Sequence, residues 1–88
     1  TRGADLNEAR AAAAERPDDI DAQFLIADLD VSGGHVEDAF GRLIELVGRL
    51  TGDDRERVRA RLVELFTVVG TADPLVAQAR RALASRLF

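Results

Sequence analysis

The chain has no cysteine, so no disulfide, thiolate nucleophile or thiol redox step can reside in its 88 residues. That absence agrees with a cytoplasmic setting. Lysine, tryptophan and tyrosine are missing as well, and the aromatics reduce to four phenylalanines. Proteins that grip single-stranded nucleic acid need stacking rings and a positive surface. Here the acids outnumber the arginines and the net charge is −4, which argues against nucleic acid as a partner. Proline occurs twice and glycine seven times, too seldom for a linker or a low-complexity tail. No apolar run approaches the roughly 18 residues that a membrane-spanning helix needs. The opening stretch Thr1-Arg2-Gly3-Ala4-Asp5 lacks the apolar core of a signal peptide. It also lacks a methionine, as an excised or processed piece of a longer protein would.

What is present is ample for one folded unit. Hydrophobic residues make up 47% and charged residues 32%, enough for a packed interior and a solvated surface in a single domain, 1–88. Apolar spacing is helical nearly throughout, and no segment alternates apolar and polar residues as a half-buried strand does. The pattern predicts an all-α fold with helices over 5–15, 19–32, 36–50, 54–69 and 74–88. The first is rich in alanine, turns Leu6, Ala9 and Ala13 inward, and stops before Pro17. Asp18 or Asp19 caps the second. Gly33-Gly34 closes it with a positive-φ residue and folds the third helix back antiparallel.

The third helix carries one broad stripe, Val36, Ala39, Phe40, Leu43, Ile44, Leu46, Val47 and Leu50. Asp53 and Asp54 suit the positive N-terminus of the fourth, whose inward side is Val58, Leu62, Leu65, Phe66 and Val69. Asp73 caps the fifth, with Pro74 at its first position, and Leu75, Val76, Ala79, Ala82, Leu83 and Leu87 face inward. The last two helices form a second hairpin. Phe40, Phe66 and Phe88 are expected in the core.

The second helix is different. At about 100° per residue it has two apolar faces. Ile20, Phe24, Ala27 and Val31 form one; Ala22, Leu25, Ile26 and Leu29 form the other. Asp21 and Asp28 separate them on one side, Gln23 and Asp30 on the other. A helix apolar on two sides must be covered on two sides, as an inner helix of a stack is. The expected covers are the first and third helices on one side and the fourth on the other.

Half a hairpin followed by two full ones is the organisation of a helical repeat protein. Residues Ile20 to Asp53 are similar to the tetratricopeptide repeat of about 34 residues. Ile26-Ala27 match its Leu-small pair, Gly34 its turn, Ala39 its small second-helix residue, and Leu43 and Leu46 the apolar positions that follow. Pro17 matches the proline that ends a preceding repeat. Gln23 and Asp30 depart from positions that are usually aromatic.

The last hairpin carries a narrower resemblance. Arg59-Ala60-Arg61-Leu62-Val63-Glu64-Leu65-Phe66, Val69-Gly70, Asp73-Pro74-Leu75-Val76 and Arg80-Arg81-Ala82-Leu83-Ala84-Ser85-Arg86-Leu87-Phe88 resemble the end of bacterial thioredoxin-like co-chaperones. Those proteins join a thioredoxin fold to a C-terminal tetratricopeptide domain. The resemblance implies that this chain is the C-terminal part of such a protein. It implies binding of unfolding clients, or of a folding chaperone such as the chaperonin or the Hsp70 class. The alternative is a tetratricopeptide domain of a transcription-regulatory or signalling protein. A third role, spacing or dimerising the parent, would use the last helix as a homodimer surface.

No catalytic constellation is visible, so the chain reads as a binding module, not an enzyme, with no cofactor and no metal. His35 is a lone turn histidine without a neighbouring base, nucleophile or ligand set. Asp18, Asp19, Asp21, Asp28 and Asp30 lack calcium-loop spacing and are assigned to capping and solubility. The candidate partner-binding residues are Phe24, Leu25 and Val31 on the two-sided helix and Arg55, Arg57, Arg59 and Arg61 on the fourth. Arg57 and Arg61 share one flank, and Arg55 and Arg59 the other. The arginine run and Arg80-Arg81 read first as a solvated, ion-paired surface. Their functional reading is a dock for an acidic protein surface.

Overall fold

The computed structural model describes the backbone of residues 2–87 and the side chains of residues 7–87. Leu6 and Phe88, expected in the core, therefore lie outside the described side chains. The described residues form five helices and no strand: α1 Arg2–Glu15, α2 Ile20–Ser32, α3 Val36–Arg49, α4 Gly52–Val69 and α5 Pro74–Leu87. The all-α reading holds, with boundaries that shift by a few residues.

Local chemistry explains the ends. Asp19 has extended backbone and accepts a 3.2 Å hydrogen bond from the Ala22 N–H, which satisfies one orphan donor of α2. At the other end Gly34 takes φ 85°, His35 N–H donates to the Asp30 carbonyl at 2.7 Å, and Gly34 N–H donates to the Val31 carbonyl at 3.2 Å. These two bonds are the paired closure that a left-handed glycine permits. α4 starts earlier than the acids at 53 and 54 indicated, because Thr51 takes the cap position without a side-chain bond. Asp53 and Asp54 fall in the first turn, where their charge complements the positive end of the helix dipole. Asp73 accepts a 2.8 Å bond from the Leu75 N–H and caps α5 as expected.

α3 is the hub. It packs directly on α2, α4 and α5, and its whole inward stripe from Ala39 to Val47 is buried. The main core joins Ile20 and Ala27 of α2, the α3 stripe, Val58, Leu62, Leu65 and Phe66 of α4, and Val76, Ala79 and Leu83 of α5. Phe40 and Phe66 meet at its centre edge to face, ring centroids 5.1 Å apart and planes at 87°. α5 lies against α3 more closely than against α4, so the last hairpin is looser than the spacing indicated. Ala82, expected inside, is exposed.

The two-sided α2 is packed on both faces except at the exposed Leu25, with a different division of labour from the expected one. A second, smaller cluster joins Ile26 to Ala9 and Ala13, with Leu29 packed against it. So α1 alone covers one face, and α3 and α4 together cover the other.

Gln23 and Asp30 are the larger correction. Helical spacing puts them among the polar residues that separate two apolar faces, and assigns Asp30 to solubility. Both are buried, at 3% and 0% exposure. Burial of a polar group is tolerable only with partners. Gln23 Nε2 donates to the Ala13 carbonyl at 3.0 Å, and its Oε1 accepts from Arg42 Nη1 at 3.0 Å. One amide thus ties α1, α2 and α3. Arg10 Nη2 donates to Asp30 Oδ1 at 2.8 Å and fastens α1 to the far end of α2.

Candidate partner-binding face

Two adjacent helices build the face. On α2, Asp21, Phe24 and Asp28 recur at i, i+3 and i+7 and so share one side. On α4, Arg57, Arg61 and Glu64 do the same. The α2–α4 packing brings the two sides together. Arg57 pairs with Asp21, and Arg61 pairs with Asp28 at 2.5 Å and with Glu64 at 3.3 Å. Between these pairs lies the half-buried Phe24 ring. The Arg57 and Arg61 guanidinium carbons stand 5.4 and 6.0 Å from its centroid. Both distances are within reach of a cation–π attraction.

The electrostatics follow from these contacts. The hydrogen bond to Asp28 holds the Arg61 guanidinium above its ordinary pKa. Arg59 is likewise raised by its hydrogen bonds to Glu56, and the Glu56 carboxyl is lowered by the same contact. That second pair is a local i, i+3 pair at the solvent, 2.8 Å from Nε to Oε2.

The seven candidate residues therefore divide. Phe24, Arg57 and Arg61 are assembled into one arrangement. Arg59 belongs to its own pair with Glu56, and Arg55 is half-buried and forms no ion pair among the described residues. Val31 is half-buried against the main core. Leu25 is 53% exposed and turns toward α1, lining a groove with Ala22 and Ala9. The sequence reading missed Asp21 and Asp28 as the counter-ions. Their signal was available: each stands about one repeat length before its arginine, as a pair of facing repeat positions does. Arg80, which reads first as a solvated cation, has its guanidinium carbon 5.7 Å from the Phe66 ring centroid.

Chemically, this face can hold an extended chain. An apolar side chain can rest beside Phe24, and acidic side chains can compete with Asp21 and Asp28 for the two guanidinium groups. A second cleft of about 700 Å3 opens between α1 and α3, above Gln23. Its walls carry Arg10, Arg42, Arg49, Glu37, Asp38 and Glu45, with neither histidine nor hydroxyl among its described lining. His35 sits exposed at the start of α3 with no side-chain capping bond. Among the described residues no group of His, Cys, Asp and Glu is placed to hold a metal ion, and no helix is long and apolar enough to cross a membrane.

A family model described as tetratricopeptide repeat matches residues 1–88. Uncharacterized proteins of Mycobacterium bovis and Mycobacterium tuberculosis are 52% identical over 71 residues, covering 81% of this chain. The chain spans 23% of the length of these relatives. No solved structure matches it. The chain belongs to the tetratricopeptide repeat family, whose stacked helices serve typically as non-catalytic protein–protein interaction modules.

Proposed function

We propose that this tetratricopeptide repeat chain holds an extended protein segment across the α2–α4 face, within a thioredoxin-like co-chaperone of the cytoplasm. The partner is then an unfolding client or a folding chaperone. The observation that carries the binding mode is the Phe24 ring roofed by Arg57 and Arg61, with Asp21 and Asp28 as their counter-ions. Asp21 and Arg57 are both at least half exposed, so an incoming carboxylate can replace Asp21 without stripping water from a buried charge. Charges at such a rim act on association rate and orientation more than on affinity, and the apolar contact supplies the rest. The co-chaperone setting is supported by the resemblance running from Arg59 to Phe88, and the greater length of the relatives is compatible with a further domain.

The test is suppression of aggregation of a heat- or oxidant-unfolded model client by the full-length gene product. The Phe24→Ala protein and the Arg57→Glu, Arg61→Glu double variant should each lose most of the protection while keeping the far-UV helical signal. Protection that survives both changes would overturn the assignment of this face.

A further inference from the structure

The charges around the α1–α3 cleft are unevenly paired. α1 and α3 both pack on α2 without packing closely on each other, and the cleft of about 700 Å3 lies between them. Three arginines line it. Arg10 holds Asp30, and Arg49 holds Glu45 and Asp18. Arg42 has no carboxylate partner among the described residues; its bond runs from Nη1 to the Gln23 amide oxygen at 3.0 Å. That amide is itself fixed, because Gln23 is buried and its Nε2 donates to the Ala13 carbonyl at 3.0 Å and to the Arg16 carbonyl at 3.4 Å. The Arg42 Nε is enclosed without a partner among the described residues, which leaves Nη2 as the donor that a ligand can reach. A half-buried cation held by a neutral amide is completed by an anion.

The walls decide which anion. Glu37 and Asp38 border the same cleft and form no ion pair among the described residues. A doubly charged phosphate would lie against both acids, whereas a single carboxylate neutralises Arg42 with half that repulsion. Gly41 decides how the carboxylate arrives. It borders the cleft and also a groove of about 160 Å3 between α3 and α5, where Phe40, Ile44, Leu75 and Ala79 supply an apolar lining. A Cβ at Gly41 would meet nothing within 4 Å, so the wall between cleft and groove is lowest at that residue. A backbone can cross α3 there, with a carboxylate on one side and an apolar side chain on the other.

We infer that the α1–α3 cleft binds a carboxylate side chain of an extended protein segment that crosses α3 at Gly41. The carboxylate accepts from Arg42 Nη2, and an apolar side chain of the same segment enters the α3–α5 groove. A helix is about 10 Å across, and roughly three residues of extended chain span that width. The segment therefore carries an acid and an apolar residue three positions apart. This surface shares no residue with the Phe24, Arg57 and Arg61 arrangement, so the two are tested separately.

Isothermal titration calorimetry of the full-length gene product with the peptide acetyl-Gly-Glu-Gly-Gly-Leu-Gly-amide is the test. Saturable binding is expected. It should weaken at least tenfold when glutamine replaces the peptide's glutamate, and equally in the Arg42→Gln protein. Gly41→Ala favours the helix and so keeps the fold, yet it raises the wall and should weaken binding several-fold. The Arg57→Glu, Arg61→Glu protein should bind this peptide as before, whatever it does to client protection. Absence of binding overturns the inference, as does binding indifferent to the peptide's charge, to Arg42→Gln or to Gly41→Ala. Loss of binding in the Arg57→Glu, Arg61→Glu protein assigns the peptide to the α2–α4 face and overturns it too.

Discussion

The Arg57 guanidinium carbon lies 5.4 Å from the centroid of the Phe24 ring, so a cation of α4 covers an aromatic of α2. Arg61 stands on the same ring at 6.0 Å, and both arginines also hold aspartates of α2. The α2–α4 contact is thereby electrostatic at its surface and apolar beneath.

A double-mutant cycle isolates the ring–cation part. Phe24→Leu and Arg57→Gln should couple by about 0.5–1 kcal/mol, the range for an exposed cation–π pair. Urea unfolding at two salt concentrations measures it. The Asp21–Arg57 pair is solvent-exposed, so a cycle on Asp21→Asn should give a smaller coupling that shrinks further in high salt.

Asp30 and Arg10 make the opposite prediction. The Asp30 side chain is fully buried, and Oδ2 has no hydrogen-bond partner among the described residues. Arg10→Ala should destabilise the chain by about 1–3 kcal/mol, because it leaves a buried carboxylate uncompensated while water can reach the vacated, partly exposed arginine site. Arg10→Leu combined with Asp30→Leu should recover most of that loss, since no buried charge then remains. The urea midpoint of the three proteins checks both statements.

The glycines separate conformational need from helix propensity. A Cβ at Gly41, in the middle of α3, meets nothing within 4 Å, so Gly41→Ala should stabilise by roughly 0.5–1 kcal/mol. A Cβ at Gly48 meets the Arg86 side chain at 3.2 Å, so the gain there should be smaller. Gly34→Ala should destabilise, because φ 85° closes α2. Thermal unfolding of the three variants should rank them in that order.

Much of this was legible in the residues, for reasons that differ by element. The broad stripe of α3 and the Asp19, Gly34 and Asp73 signals act within a turn or two of chain, so spacing alone reveals them. The two faces of α2 were also visible, as was the common flank of Arg57 and Arg61. What escaped was decided by distant partners. Gln23 and Asp30 look like solvent residues until Ala13, Arg42 and Arg10 arrive from other helices to satisfy them. The division of the candidate face escaped for the same reason. Phe24 and Leu25 are adjacent in sequence, yet α4 covers the first and leaves the second beside α1. Arg59 is taken by its neighbour Glu56, a competition among nearby charges that helical spacing leaves undecided.

The central claim is that a protein partner lies across the α2–α4 face. Backbone amide NMR of the chain, titrated with a permanently unfolded model polypeptide, tests it most directly. The account predicts that shift changes concentrate on residues 21–28 of α2 and 57–64 of α4, and that Phe24→Ala abolishes them. Changes confined to the α1–α3 cleft, or to α5, would contradict it.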